Sequence, residues 1–340
     1  MNDVTDAERP PRGIRLLHAL QREPDWSTMT SEELIAFRDA ANRKAASRIG
    51  RVVTGLPDRG AAIEWQEVTL PDRAVPVRVY RPSPEYGGRD ADLPLLLQVH
   101  GGGFVGTAVQ CDWANSHFAA RLPAVVVSVE HRLIAPGTAL SAAVDDGWDV
   151  LQHVVEHAAE WGVDPARVAV VGESTGGLIA ALAAIRAKES GLPLQAQVLV
   201  NPVTDLTETM FDYPSMVEHA NSPTSTVAEI RFFQRLAVPS GTDPRPLSPL
   251  HAGDRSGLAP ALVVVPTIDP LADHGRRYAE RLLESGTPAQ LTEYPGATHA
   301  FLSMPGLVPQ AKAARAEIAE FLRDRLVSRS AAGSRRTGQR

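Results

Sequence analysis

One cysteine, Cys111, occurs in 340 residues, so neither an internal disulfide framework nor a cysteine-cluster metal site can form. Its thiol is read as a small buried hydrophobe. Basic charge is not in excess either: 34 Lys and Arg stand against 40 Asp and Glu, a formal net charge of −6. No nucleic-acid footprint and no attraction to an acidic membrane surface follow from that balance, and the expected partner is a small molecule. The opening stretch MNDVTDAERPPRGIRLLHAL mixes both charge signs around no apolar core, which argues against a membrane span and a secretory signal and makes the cytoplasm the expected location. No internal repeat is visible. Whether the chain pairs as a homodimer stays open.

What the chain does contain is a series of short, continuously apolar, β-branched runs. LPLLLQV, AVVVSV, RVAVV, AQVLV and ALVVV are mostly separated by helix-length segments, as strands buried on both faces of a parallel sheet would be. Before them, IEWQEVTLP and AVPVRVYRP alternate around Pro71-Asp72-Arg73, an antiparallel pair for one edge. AQLTEYP adds a last strand ahead of a helix from about Pro309 to Leu326. The expected fold class is therefore α/β: an eight-stranded, mainly parallel sheet flanked by helices. Residues 1–55, with Leu34, Ile35 and Phe37 at helical spacing, and residues 203–257, a Pro-, Thr- and Asp-rich stretch too long for a simple crossover, are assigned to a cap. That leaves 56–202 and 258–327 as the catalytic domain, and 328–340 as a disordered tail.

The run VAVV breaks at Gly172-Glu173-Ser174-Thr175-Gly176 and resumes as the alanine-rich LIAALAA. This G-x-S-x-G places a serine in a tight strand-to-helix turn, at the strand ends where α/β sheets collect ligands, with a helix N-terminus behind it. A second glycine-rich turn, His100-Gly101-Gly102-Gly103-Phe104, follows LPLLLQV and could offer backbone N–H groups to an oxyanion. Either motif alone has a bland reading as a turn; together, in this order, they point to chemistry.

With HGGGF at 100–104, GESTGG at 172–177, NPVTD at 201–205, DPLAD at 269–273 and HAF at 299–301, the chain from about 55 to 327 resembles the α/β-hydrolases of the hormone-sensitive-lipase type. These are carboxylesterases with a helical cap. The resemblance implies a serine carboxylesterase acting on small, short-acyl esters without cofactor or metal. It implies Ser174 as nucleophile, Asp269 as acid and His299 as base, with the N–H groups of Gly102, Gly103 and Thr175 as oxyanion hole. His100 would support the glycine loop. The chemistry needs these types independently: a serine deprotonated by a neutral imidazole, a carboxylate fixing its tautomer, and fixed donors for the tetrahedral intermediate.

Some features stand apart. His131-Arg132-Leu133-Ile134-Ala135-Pro136-Gly137 departs from the family's Tyr-Arg-Leu-Ala-Pro-Glu, with His131 read as a pocket residue. Thr175 replaces a common alanine, and Glu173 a common aspartate, read as a loop-supporting carboxylate. Asp269 before Pro270 could be a helix cap, with Asp273 one turn on as the rival acid. His18, His117, His219, His251 and His274 are assigned to surface, cap or helix. His153-Val154-Val155-Glu156-His157 matches an inverted zinc-peptidase motif, more simply a solvated helix face. A non-catalytic small-molecule receptor, or a natural-product dehydratase or lyase on the same fold, are the alternative functions.

Overall fold

The structure, a computed structural model, describes residues 9–20, 23–83 and 92–327. Three helices come first: α1 (Arg12–Leu20), α2 (Ser31–Ala46) and α3 (Gly50–Thr54). Thr30 and Glu33 start α2 with a reciprocal capping box, the Glu33 carboxylate accepting the Thr30 N–H at 2.8 Å. Strands β1 (Ala61–Thr69) and β2 (Ala74–Pro82) form the expected antiparallel hairpin, closed where the Leu70 N–H donates to the Arg73 carbonyl at 2.8 Å. Strand and helix then alternate: β3 (Leu93–Val99), α4 (Asp112–Arg121), β4 (Val125–Val129), α5 (Leu140–Glu156), α6 (Ala158–Trp161), β5 (Val163–Glu173), α7 (Thr175–Ser190) and β6 (Leu194–Val200).

The stretch after β6 holds α8 (Pro214–Glu218), a short hairpin of β7 (Asn221–Ser222) and β8 (Ser225–Thr226), and α9 (Val227–Ala237). That hairpin carries no sequence signal, because each strand is only two residues long. The chain closes with β9 (Ala261–Ile268), α10 (Ala272–Glu284), β10 (Ala289–Thr298) and α11 (Gln310–Leu326). The tail 328–340, expected to be disordered, lies outside the described residues. Among those described, no helix is long and apolar enough to cross a membrane.

The large sheet has eight strands in the order β1-β2-β4-β3-β5-β6-β9-β10, antiparallel at β1/β2 and β2/β4 and parallel elsewhere. Alternate residues of one apolar run face opposite layers. In β3, Leu95, Leu97 and Val99 enter one core cluster, while Leu96 enters the other; in β5, Val168 and Val170 separate likewise from Ala169 and Val171. Each fully buried aliphatic side chain stabilises the fold by about 1.5–3 kcal/mol relative to exposure, which is why such runs are confined to two-sided strands.

Strand order reverses at β3, which lies between β4 and β5, and such switch points open a crevice at the carboxyl ends of the strands. The register there joins the two glycine motifs: Val99 pairs with Gly172, so the turns after β3 and β5 leave the sheet side by side. On the far side Thr298 of β10 pairs with Ile268 of β9 across a register shift. Gly296 thus lies inside a bulged strand that ends one residue before His299. Over these ends, Trp26 of the N-terminal segment meets Phe104 of the glycine turn (ring centroids 5.6 Å) and Phe232 of α9 (5.5 Å).

Candidate active site

Ser174 sits between β5 and α7 at φ 56°, ψ −119°, a conformation that costs a non-glycine residue on the order of 1–3 kcal/mol. It is held there by its N–H donating to Val200 at 2.9 Å and its carbonyl accepting from Val203 at 3.2 Å. The turn can close because Gly176 lacks a Cβ, which would run into the carbonyl oxygens of Val99 and His100. Among the described residues the non-glycine positions with positive φ are Ser174, Asn201 and Ala300, just beyond the ends of β5, β6 and β10. Backbone strain is concentrated around one crevice.

Two more strand ends complete the arrangement. His299 Nε2 lies 2.8 Å from Ser174 Oγ, and its Nδ1 lies 2.8 Å from Asp269 Oδ2. With a carboxylate as acceptor, Nδ1 carries the hydrogen and Nε2 is free to accept the serine proton. Asp269 is fully buried, and its other oxygen accepts the Leu271 N–H at 2.9 Å. Helix α10 begins only at Ala272, so Asp269 is not its N-cap; it makes a turn ahead of the helix. Asp273 points elsewhere, accepting the Ser215 N–H of α8 at 2.9 Å and pairing with Arg276 at 3.0 Å.

Gly102, at φ 91°, occupies a conformation L side chains rarely adopt, and a Cβ there would strike the Val105 carbonyl oxygen. The Gly103 carbonyl accepts the Ile134 N–H at 2.7 Å, so the HRLIAPG stretch braces the glycine turn. Among the described residues no protein acceptor takes the N–H of Gly102, Gly103 or Thr175. All three residues line the cavity that holds Ser174 and His299, about 300 Å³ in volume.

Residues 96–303 match a family model described as alpha/beta hydrolase fold. The chain belongs to the α/β-hydrolases of the hormone-sensitive-lipase type. It is 39% identical over 249 residues to carboxylesterase NlhH of Mycobacterium tuberculosis, covering 70% of this chain and 74% of that one. To the ethyl acetate hydrolase of Pseudomonas putida it is 32% identical over 294 residues, 84% of this chain and 89% of the other. Among solved structures, an ester hydrolase from the Lake Arreo metagenome superposes with a TM-score of 0.82 at 30% identity, covering 93% and 98% of the two chains. The hyperthermophilic esterase of Pyrobaculum calidifontis gives 0.79, also at 30% identity, over 92% and 96%.

The cavity of this hydrolase is walled from three sides. Ala41, Asn42 and Ala45 come from α2; Phe104, Val105 and Gln110 from the segment after the glycine turn; Met210, Glu229, Ile230 and Phe233 from the 203–257 stretch. Burial works against a charged His299, but the carboxylates of Asp269, Glu173 and Glu229 outweigh it and hold its pKa above the ordinary value. Burial pushes Glu173 up, opposed by the Ser303 hydroxyl that donates to it and by His299. That bond ties the turn after His299 to the residue before Ser174.

The other sequence candidates take different places. His131 does not line the cavity. It stacks on His100 with centroids 4.2 Å apart, behind the glycine turn, and burial holds the pKa of both rings down to about 4. His274, expected only as a surface, cap or helix residue, is fully buried on α10 and its Nδ1 accepts the Thr204 N–H at 3.1 Å. A lone histidine in an amphipathic pattern gave no signal of that. His251 reaches Asp205 at 3.0 Å, and His117 sits 3.3 Å from Asp58. His153 and His157 stack on each other at the end of α5 and border a separate groove with Asp72 and Asp149. No group of three or more metal-ligating side chains occurs among the described residues. Cys111 is buried. Glu229, three residues after Thr226 in a Thr-x-x-Glu pattern that reads only as a helix cap, is a titratable cavity residue that sequence reasoning missed.

Proposed function

We infer that this chain is a serine carboxylesterase hydrolysing small carboxylic esters through an acyl-enzyme. The observation that carries the reading is the continuous hydrogen-bonded line Ser174–His299–Asp269 opening on a cavity rimmed by backbone N–H groups without protein acceptors. Ser174 attacks the ester carbonyl while His299 Nε2 takes its proton; the C–O bond to the alcohol breaks as that proton passes to the leaving oxygen. Water then repeats the sequence on the acyl-serine, releasing the acid and restoring Oγ–H. Gly102, Gly103 and Thr175 N–H groups receive the oxyanion in both halves, and Asp269 balances the imidazolium.

The described parts of residues 1–55 and 203–257 act as the cap over this site, and those of 56–202 with 258–327 as the catalytic domain. The wall residues contributed by α2 and α9 support that division. Short acyl groups are the proposed substrates, in keeping with a relative named ethyl acetate hydrolase. A cytoplasmic location agrees with a single buried cysteine and no disulfide to maintain. The receptor and lyase alternatives are not favoured by relatives named as esterases. An organophosphonate should give one covalent adduct, on the peptide containing GESTGG, and a nitrophenyl-ester panel should show turnover falling as the acyl chain lengthens. Folded protein that takes no label and turns over no ester would sink the reading.

A further inference from the structure

Two helices begin with the same Thr-x-x-Glu pattern and use it differently. In α2, Glu33 folds back and closes the box on Thr30. In α9 only half of the box forms: Thr226 Oγ1 accepts the Glu229 N–H at 3.2 Å, while the Glu229 carboxyl lines the cavity beside Ser174 and His299. The Thr226 hydroxyl donates instead to Glu23, which also accepts the Trp26 indole N–H at 3.0 Å. The Glu229 carboxyl keeps the Thr226 N–H and the Ser225 hydroxyl near it, and its residue also borders the substrate space.

The walls around it are otherwise apolar or neutral, and no Lys or Arg is among the described residues that line the cavity. Glu173 lines the same cavity, is 3% exposed, and has an Oε1 without a hydrogen-bond partner. Apart from His299, whose charged form they favour, these carboxylates meet no side-chain cation among the described residues that line the pocket. Building on the esterase reading, we propose that Glu229 determines substrate class, accepting a hydrogen bond from a protonated amine carried on the ester a few bonds from the reacting carbonyl.

An alkyl group in that position would leave a carboxylate facing hydrocarbon, which is costly, and a carboxylate-bearing ester would be repelled. Burial lifts the Glu229 pKa to about 7; His299 and the Thr226 N–H oppose that rise, and Glu23 adds to it. A bound ammonium group would favour the ionised form and add a charged donor to the Thr226 N–H and Ser225 hydroxyl already acting on the carboxylate.

The test compares kcat/KM for ethyl butanoate, ethyl 3-hydroxypropanoate, ethyl 3-aminopropanoate and monoethyl malonate, which are near-isosteric on the acid side. A second pair, isopentyl acetate and 2-(dimethylamino)ethyl acetate, probes the alcohol side. The full-length enzyme is used at a pH where Glu229 is ionised and the amines are protonated. In at least one set the amine should exceed its alkyl isostere by about tenfold to a hundredfold, with malonate poorest, as a charged hydrogen bond in a specific site predicts. Glu229→Gln should erase that advantage, and Glu229→Leu should reverse it in favour of the alkyl ester. Phosphonate labelling of Ser174 reports whether each variant is folded, and Glu229→Gln decides alone if Glu229→Leu is not. No amine advantage in either set, an advantage that survives both variants, or a hydroxyl ester matching the amine would overturn the proposal. Failure of the esterase reading looks different: no ester is turned over and Ser174 is not labelled.

Discussion

Asp269→Asn is the most informative single change, because asparagine can keep one of the two bonds that Asp269 makes and must alter the other. Its amide oxygen can still accept the Leu271 N–H, now 2.9 Å away, so the turn before α10 should persist. Its NH₂ group would then face His299 Nδ1, now 2.8 Å from the second carboxylate oxygen. Two donors cannot share that contact, so His299 would switch tautomer and present Nε2–H to Ser174 at the atom that should accept the proton. The imidazolium would also lose its counter-charge. By the behaviour of the corresponding serine-protease change, turnover should fall roughly ten-thousandfold, about 5 kcal/mol of transition-state stabilisation.

Asp273→Asn is the control. It exchanges a carboxylate for an amide that can still accept the Ser215 N–H, and weakens a part-exposed ion pair to Arg276, which keeps Glu293 at 2.7 Å. Such pairs are worth about 1 kcal/mol or less, so melting should shift by no more than about 2–4 °C, with turnover changed less than tenfold. Ester turnover and melting temperature of both variants decide the matter. An active, stable Asp269→Asn enzyme, or a selectively dead Asp273→Asn enzyme, would refute the reasoning.

Activity should fall as pH drops through the His299 pKa, since only the neutral ring accepts the serine proton; that pKa is raised, so the acid limb of kcat/KM should lie above about pH 6.5, and a midpoint below it would contradict the carboxylate environment described. Gly102→Ala must move either the φ 91° backbone or the Val105 carbonyl, and the displaced donor should cost on the order of a hundred- to a thousandfold in kcat while the protein still melts cooperatively. Thr175→Ala keeps the backbone N–H and should retain turnover while changing the ranking of acyl chains in a nitrophenyl-ester series. Loss as deep as that of Ser174→Ala would assign the hydroxyl a chemical role.

The sequence by itself determined the strands and their layering, because a run such as LPLLLQV is apolar at every position and only a strand buried on both faces uses all of it. It also marked Ser174 and the glycine turn, since a serine between strand and helix and three consecutive glycines are local departures from those same patterns. Both signals are short-range and survive without neighbours. Partnership is not short-range. Asp269 and Asp273 lie in one DPLAD stretch, and their roles separate only when β9 and β10 pair and bring His299 to one of them and α8 to the other. His131 was legible as unusual but not as a ring stacked behind the glycine turn, and neither the burial of His274 nor the cavity position of Glu229 was legible. The Thr-x-x-Glu at 226–229 reads the same as that at 30–33, and the difference arises because α9 begins over a cavity and α2 does not face one with its Glu33. Local pattern fixes what a residue can do, whereas the side chains and solvent it meets across the sheet decide which of those things it does.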